Sequence, residues 1–160
     1  MKVFMENLQL YHNEPRTQLI MVNCKSRPMR KASIEGVIRN FNGTVKNTYG
    51  TSKGDEMSFY REMMRSKFVL SPGGLGFDCY RHWEAMYMGT IPVIEHLNRT
   101  DGWLRVFQDL PVLLVDSHDH VTPELLEREY ERIISKAKSY KYEKLTSEFW
   151  IRFIQSHFKE

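Results

Sequence analysis

Short apolar runs alternate along this chain with segments whose apolar residues recur at helical intervals. Apolar runs bounded by turn-forming residues predict buried strands, whereas spacings of three and four predict helices. Strands are predicted at residues 18–24, 68–70, 90–95 and 110–116, with a weak candidate at 44–47. Helices are predicted at residues 32–41, 56–66, 78–89, 103–108, 122–139 and 146–158.

The order of these elements predicts an α/β fold. Strands that alternate with helices favour a mainly parallel sheet with helices on both faces, which is a single Rossmann-like three-layer domain. The helix at 146–158 follows as a C-terminal helix, and residues 1–17 precede the first strand as an arm or linker. The 160 residues fit one domain of normal size, whereas two would not fit.

The composition narrows the class of protein. Hydrophobic residues make up 41% and charged residues 27% of the chain, which is typical of a soluble globular protein. No apolar run has the length of a membrane span, and a net charge of +3 is too small to indicate nucleic-acid binding. Cys24 and Cys79 are too few for a zinc motif or a disulfide framework. We therefore interpret them as buried or free thiols.

Residues 68–95 are predicted to form a strand, a glycine turn, a helix and a second strand without interruption. The sequence SPGG at 71–74 ends the strand, and the next helix opens at Asp78 or Cys79. Glycines let backbone N–H groups approach an anion, and a helix N-terminus offers unpaired donors and about half a positive charge. This arrangement favours a diphosphate as the ligand.

Two charged side chains on the predicted helix strengthen that hypothesis. Arg81 and Glu84 are three residues apart, so they lie on one helix face close to the glycine turn. An arginine can bind phosphate oxygens as a fork, and a glutamate one turn later can accept hydrogen bonds from a ribose diol. The alternative is an ordinary surface salt bridge between the two residues.

A basic loop is predicted at residues 25–31, directly after the first strand. In parallel sheets, ligands bind outside the carboxyl ends of the strands, and both this loop and the glycine turn lie at such ends. Arg27, Arg30 and Lys31 would then add positive charge beside the phosphate site. A solvated basic loop without a ligand is the alternative interpretation.

Three other features invite a functional interpretation that we consider weaker. The sequence DSHDH at 116–120 has metal-ligand residue types, but it lacks a second cluster, so we interpret it as a polar turn. We place His82 on the helix surface rather than against a ligand. Trp83 and Tyr87 are four apart, and such a pair is more typical of a core than of a base-stacking platform. The sequence therefore predicts no metal site.

The ordered series SKFVLSPGG followed by DCYRHWEAMYMGTIPVI resembles the exostosin-type glycosyltransferases. The similarity is to the nucleotide-sugar-binding, C-terminal half of their GT-B fold. It is strongest over residues 66–95 and extends more loosely to residues 18–31 and to FQDLPVLLV. It implies a donor-binding domain that recognises a nucleotide diphosphate sugar, expected to be a UDP-sugar, and stabilises the diphosphate leaving group.

The resemblance also implies roles for individual residues. Glu84 would hold the ribose of the nucleotide, and Arg81 would lie near the diphosphate. The turn beneath the sugar phosphate would be formed by Ser71, Gly73 and Gly74, with Arg30 contributing from the first loop. No tightly bound metal or other cofactor is implied, because the helix dipole and basic side chains can meet the charge on the leaving diphosphate.

The chain departs from the family pattern in two respects. Related retaining enzymes place an acidic residue eight positions before the ribose-binding glutamate, and here that position is Gly76. Whether Asp78 substitutes for it stays open. A GT-B enzyme also has two such domains, so we expect the catalytic base and the saccharide acceptor site outside this chain. The expected partners are then a second GT-B half or further copies of the chain.

Two interpretations of function follow from these observations. The first is a glycosyltransferase donor-binding domain, and the second is a non-catalytic nucleotide-binding or protein-interaction module with the same fold. The aromatic stripe of the C-terminal helix motivates the second. If the chain acts by itself, we expect it to be soluble and cytoplasmic. If it is a fragment of a longer enzyme, we expect that enzyme in the Golgi or secretory lumen.

Overall fold

The computed structural model describes residues 15–50, 56–74, 76, 78–96 and 102–157. The strands are β1 (Gln18–Met21), β2 (Ser66–Leu70), β3 (Ile91–Glu95) and β4 (Leu113–Val115). The α-helices of the described residues are α1 (Pro28–Asn40), α2 (Glu56–Met64), α3 (Tyr80–Tyr87), α4 (Gly102–Phe107), α5 (Pro123–Ser135) and α6 (Ser147–His157). Short 3-10 helices cover His118–His120, Ala137–Ser139 and Tyr142–Leu145.

The strands form one parallel sheet in the order β1-β2-β3-β4. Phe68 on β2 is in register with Ile20 on β1 and with Ile91 on β3. A single parallel bridge joins Val22, just after β1, to Asn47 on the outer edge of the sheet. The chain therefore leaves β1 in one direction through α1, and it returns through α2 to β2 on the other side of β1.

Helices cover both faces of this sheet, as predicted. On one face, α1 and α5 pack against the strands through Ile34, Val37, Leu126 and Ile133. On the other face, α2 and α3 contribute Met63, Ala85 and Met88 around Met21 and Val69, and α4 adds Phe107 beside Ile94. Alternate strand residues point to opposite faces, which explains why Ile20 and Met21 lie in different clusters. The α/β single-domain prediction is confirmed.

Several element boundaries differ from the prediction. The predicted basic loop at 25–31 is wrong in its second half, because α1 begins at Pro28 and not at residue 32. Proline suits the first helical position, since its φ is fixed and its missing N–H has no helical partner there. Arg30 and Lys31 therefore lie in the first turn of a helix. The weak strand at 44–47 is reduced to the bridge at Asn47.

The ends of two helices follow the predicted signals. At α5, Thr122 accepts a hydrogen bond from the Leu125 N–H at 3.2 Å, and Pro123 occupies the first turn. This helix ends at Ser135, and a 3-10 turn follows where the sequence predicted more α-helix. At α3, Gly89 has a φ of 66° and donates to the Met86 carbonyl, so a residue without a Cβ ends the helix.

Arg16 ties several elements together at the end of the sheet opposite the glycine turn. Its guanidinium donates to the carbonyls of Met64, Ser66 and Met88 at 2.7–3.3 Å, and to the Thr90 hydroxyl at 2.9 Å. Burial lowers the pKa of this arginine from its ordinary value. The residue lies within the segment predicted to be an arm or linker, and its contacts anchor that end of the segment to α2, β2 and α3.

The C-terminal helix α6 lies at the periphery of the domain. It packs mainly against the 3-10 turn Tyr142–Leu145, where the Trp150 indole donates to the Lys144 carbonyl at 2.8 Å. Ile151, Phe153 and Ile154 are about half exposed on its outer surface, at 53%, 45% and 54%. In the described ranges, no helix combines the length and apolar character that crossing a membrane requires.

Candidate functional site

The chain segments that follow β1 lie on opposite sides of this strand, first at Asn47 and then at β2. This arrangement creates a crevice between the carboxyl ends of β1 and β2. In open α/β sheets, ligands bind at such a switch point, because the two following loops diverge from each other. A cleft of about 660 Å³ lies there, between the start of α1 and the start of α3. It is lined by Lys25, Arg27, Arg30, Gly74, Gly76, Asp78, Cys79, Tyr80 and Trp83. One wall is cationic, and the other is aromatic with one carboxylate.

Arg30 joins the two loops across the base of this cleft. Its Nε donates to the Gly73 carbonyl at 2.8 Å. A Cβ on Gly74 would stand 2.8 Å from a terminal nitrogen of Arg30, so a glycine permits the guanidinium to approach the turn this closely. The Gly74 N–H is directed to the Gly76 carbonyl at 2.8 Å, which closes the turn on itself. The guanidinium of Arg30 is thus the positive group that this turn presents.

Arg81 and Glu84 lie on the side of α3 that faces α2. Arg81 reaches the sulfur of Cys24 at 3.5 Å, and its guanidinium carbon lies 5.9 Å from the centre of the Phe59 ring. Its Nε is buried and has no hydrogen-bond partner among the described residues. Glu84 accepts a hydrogen bond from the Tyr60 hydroxyl at 3.3 Å. Both side chains therefore contact α2, and Arg81 also reaches Cys24 in the loop after β1.

Cys24 lies beside Arg81 at the crevice between β1 and β2. It is fully buried in the segment that follows β1, and its thiol donates to the Leu70 carbonyl at 3.6 Å. Burial raises the pKa of the Cys24 thiol, while the charges of Arg81 and then Arg30 act in the opposite direction. Arg81 thus contacts this sulfur directly, whereas Arg30 contacts the glycine turn after β2.

A second cluster, formed by Ser71, Cys79 and His82, lies behind the cleft. The Ser71 hydroxyl is 2.6 Å from Nδ1 of His82, and both side chains are fully buried. The Cys79 sulfur is 3.6 Å from each of these two atoms and lines the cleft. The surface position predicted for His82 is wrong, because α3 turns this ring inward against Phe107 at a centroid distance of 5.6 Å.

This cluster makes Cys79 unusually acidic. Burial by itself raises the pKa of the thiol, but hydrogen bonds from His82 and Ser71 together with the charge of His82 outweigh it, so the pKa falls to about 7. When Nδ1 of His82 is protonated it can donate to Ser71, whose hydroxyl is then free to donate to the sulfur. A chain of donors therefore ends on a cleft-lining thiolate. Ser71 and His82 themselves are out of reach of a ligand.

The aromatic wall of the cleft is held in place from behind. The Trp83 indole N–H donates to Asp78 at 3.1 Å, and the ring packs against Phe107 at a centroid distance of 5.5 Å. Tyr80 lies one turn earlier at the cleft rim and is 87% exposed. The predicted core pair of Trp83 and Tyr87 is not observed, since Tyr87 is 46% exposed and its hydroxyl donates to the Leu145 carbonyl.

The DSHDH segment distributes its side chains among different partners. Asp116 pairs with His96 at 2.9 Å, and Asp119 pairs with Arg39 at 3.4 Å. His118 is buried, with Nδ1 3.3 Å from Glu95 and Nε2 3.3 Å from the Val93 carbonyl. Within the described ranges, no group of three or more potential ligands has metal-binding geometry. The segment serves to fix the loop after β4.

The predicted site residues thus fall into two neighbouring groups. Arg30, Gly74 and Asp78 line the cleft, while Arg81 and Glu84 lie beside α2. Gly73 is linked to the first group through its carbonyl, and Ser71 turns its hydroxyl into the buried cluster. Sequence reasoning missed the acidity of Cys79 and the aromatic wall. The spacing of Cys79 and His82, three residues apart on one helix face, was the available signal.

The sequence of the chain matches one known protein family over most of its length. The family described as RXYLT1 C-terminal domain matches residues 7–151, which is most of the chain. The chain belongs to the RXYLT1 C-terminal domain family. This family is related to the exostosin-like glycosyltransferases, so the chain is a glycosyltransferase-related domain. No curated protein matches the chain.

The family match covers the whole of the sheet and the crevice described above. The resemblance to exostosin-type enzymes is therefore supported at the level of a related family. Because a fold hosts many functions, membership in the RXYLT1 C-terminal domain family does not by itself assign a ligand to the crevice. The ligand has to be argued from the residues that line it.

Proposed function

We propose that this chain is the donor-binding domain of a glycosyltransferase and binds a nucleotide diphosphate sugar, with uridine diphosphate as its nucleotide part. One observation carries the proposal: at the switch point of the sheet, Arg81 reaches Cys24 after β1 at 3.5 Å, and Arg30 donates to the Gly73 carbonyl after β2 at 2.8 Å. Two guanidinium groups from the first turns of two different helices suit two linked phosphates, since each offers a planar fork of donors.

The buried Nε of Arg81 supports this ligand. A buried polar nitrogen without a partner is unfavourable, and it is commonly completed by a ligand or an ion. A phosphate oxygen placed between Arg81 and Arg30 would supply the missing acceptor. The same two charges would then stabilise the diphosphate as it leaves the sugar, in a crevice where charges interact more strongly than in bulk water.

Glu84 is proposed to hold the ribose. Its carboxylate already accepts one hydrogen bond from Tyr60, and it has further lone pairs for a hydroxyl pair. Tyr60 and Phe59 on α2 form an aromatic surface next to it, with ring centroids 5.1 Å apart. This neighbourhood suits a nucleoside beside the arginines. The catalytic base and the saccharide acceptor site are proposed to lie on a second domain or a second copy of the chain.

Calorimetric titration with UDP tests the proposal directly. Removing one charge-assisted contact costs about 1.5–3 kcal/mol, so Arg81→Ala and Arg30→Ala should each weaken UDP binding by about 10- to 150-fold. Arg39→Ala is a matched control, because this exposed arginine pairs with Asp119 away from the cleft. Absence of UDP binding to the wild type, or an equal loss in the control, would refute the donor site.

The role of Glu84 has its own test. The wild type should bind UDP more tightly than 2′,3′-dideoxy-UDP, because only the former offers hydroxyl donors to the carboxylate. In Glu84→Gln this preference should shrink, while the affinity for dideoxy-UDP stays within about twofold of the wild type. A preference that survives the substitution would remove Glu84 from the ribose site.

The second candidate, a non-catalytic protein-interaction module, is favoured by the outer surface of α6. Ile151, Phe153 and Ile154 form an exposed apolar stripe there. Analytical ultracentrifugation separates the two candidates when it is combined with a donor hydrolysis assay. Self-association that Ile151→Ser reverses, without UDP binding or sugar-nucleotide hydrolysis, would favour the module over the donor domain.

A further inference from the structure

The aromatic wall of the cleft has features that the diphosphate and the ribose do not use. Trp83 borders the cleft on one side and a second cavity, lined by Tyr87, Leu145 and Trp150, on the other. Its ring is backed by Phe107, and its N–H is fixed on Asp78. Tyr80, one helical turn away, is 87% exposed at the same rim. A fixed indole and an exposed phenol thus form a wall that faces the cationic residues.

Asp78 completes this wall with a hydrogen-bond acceptor. One carboxylate oxygen accepts from the indole at 3.1 Å, which restricts the side chain to one orientation. A carboxylate can accept about four hydrogen bonds, and Asp78 is exposed in the cleft lining, so it has acceptor capacity for a ligand. The wall therefore combines an apolar ring face with an acceptor for several hydroxyl donors.

The position of this wall relative to the arginines suggests what it contacts. Glu84 and Tyr60 lie on the α2 side of Arg81, whereas Asp78, Tyr80 and Trp83 line the cleft together with Arg30 on the α1 side. A ligand whose phosphates span the two arginines places its nucleoside at one end and its other substituent against the wall. In a nucleotide sugar, that substituent is a monosaccharide.

We propose that Trp83 and Tyr80 form a platform for the sugar ring of the ligand, with Asp78 accepting hydrogen bonds from its hydroxyl groups. This inference rests on the proposed donor site for the orientation of the ligand. The C–H groups on one face of a sugar ring carry a small positive charge, and the face of an aromatic ring is negative, so the two surfaces attract each other. Apolar lining with a few fixed polar groups is also the usual composition of a small-molecule site.

A nucleobase is the competing occupant of the same wall, and the chemistry favours the sugar. The wall supplies acceptor oxygens from Asp78, and every ring hydroxyl can donate to them, whereas a uracil base has one N–H on its pairing edge. The Phe59–Tyr60 surface beside Glu84 already provides an aromatic neighbour for a base. The two aromatic surfaces are therefore assigned to the two ends of one ligand.

Saturation-transfer NMR with simple glycosides tests the platform without any nucleotide. The probes are the methyl α- and β-glycosides of glucose, galactose, xylose, N-acetylglucosamine and glucuronic acid, with uridine as the base-containing comparison. At least one glycoside should receive saturation from the wild type. Its affinity should fall about three- to tenfold in Trp83→Leu and in Tyr80→Ala, which is the range expected for one aromatic contact.

The controls separate the platform from other aromatic residues and from folding. Tyr142→Ala and Tyr49→Ala change half-exposed aromatics that do not line the cleft, and the glycoside signal should survive in both. Tyr80→Ala is not expected to affect folding, since the side chain is almost fully exposed. Loss of the signal in the controls, transfer to uridine alone, or no transfer to any glycoside would overturn the platform.

The outcome is independent of the donor-site test. A chain that binds UDP but no glycoside keeps its donor site and loses the platform. A chain that binds a glycoside through Trp83 but does not bind UDP keeps the platform and loses the nucleotide. Asp78→Asn provides a further readout. It retains the indole contact, and it should selectively weaken the binding of those glycosides that have a full set of hydroxyl groups.

Discussion

The acidity of Cys79 leads to a prediction that tests the buried cluster behind the cleft. With a pKa of about 7 instead of 9.0, half of this thiol is ionised at neutral pH. We expect alkylation of Cys79 by iodoacetamide to rise with pH around a midpoint near 7. His82→Gln retains a polar side chain of similar size without the positive charge, and it should move the midpoint up to about 9 or above, because burial then acts on the thiol without the opposing charge.

The expected increase in the alkylation rate of Cys79 follows from its lowered pKa. At pH 7 a thiol with a pKa of 9.0 is about 1% ionised, so the ionised fraction of Cys79 is about 50-fold larger. A less basic thiolate is also a weaker nucleophile, by about 0.4–0.5 log units for each unit of pKa. Over this shift its rate constant falls about eightfold. The net expectation is that Cys79 reacts about sixfold faster at pH 7 than an unperturbed thiol of equal exposure.

The assay is mass spectrometry of the alkylated peptides as a function of pH. Cys24→Ser leaves a single thiol, and the wild type supplies an internal control, since buried Cys24 should react only when the chain unfolds. Ser71→Ala should raise the Cys79 midpoint in the same direction as His82→Gln. A midpoint near 8.5 in the wild type, or one that neither substitution moves, would refute the donor chain from His82 through Ser71 to the sulfur.

The same shift predicts how stability depends on pH. The folded pKa of Cys79 is below the unfolded value, so the unfolded chain binds more protons between the two, and stability rises with pH in that window. The contribution should be fully present above about pH 9 and lost as pH falls through about 7. Its maximum is about 2–3 kcal/mol. Urea unfolding of the wild type and Cys79→Ala at several pH values should show this difference.

Three further predictions concern the scaffold. Arg16→Met removes the donor shared by four acceptors, so it should cost about 2–4 kcal/mol and lower Tm by about 5–15 °C in thermal unfolding; a loss below 0.5 kcal/mol would contradict it. The hydrogen bond from His118 holds the pKa of Glu95 below its ordinary value, so this carboxylate stabilises the fold above about pH 4.3 and ceases to do so as pH falls. Glu95→Gln should reduce the loss of unfolding free energy at acid pH, and an unchanged loss would refute the pairing of Glu95 with His118. Thr122→Ala removes the cap of α5 and should cost about 1 kcal/mol in urea unfolding, whereas Thr122→Ser should cost much less.

Local signals explain why the region around the glycine turn was predicted closely. The predicted strand at 90–95 is observed as Ile91–Glu95, and Gly89 ends the preceding helix, because a glycine after a periodic apolar segment leaves few alternatives. The start of α1 was missed although Pro28 favours a first helical turn. Basic residues flank this proline, and such a charged segment is also typical of a loop, so composition alone does not distinguish the two.

Long-range contacts account for what the sequence did not reveal. His82 has the polarity of a surface residue, and its burial depends on Ser71 and Phe107, which approach it only when α3 packs against β3. The two arginines are a similar case, since Arg30 and Arg81 are 51 residues apart and the order of the strands brings both to the crevice between β1 and β2. Residue types predicted the chemistry of the site, and topology determined which of them are neighbours.

Arg16 also has an electrostatic consequence for the opposite end of the sheet. Its guanidinium contacts the Met64 and Met88 carbonyls, which are at the C-terminal ends of α2 and α3. These ends carry the negative poles of the two helix dipoles, so a cation there complements them. Their positive poles lie at the side of the crevice, where an anionic ligand would complement the same helices from the other end. Arg16 and a bound diphosphate would thus neutralise opposite poles of one pair of dipoles across the thickness of the domain.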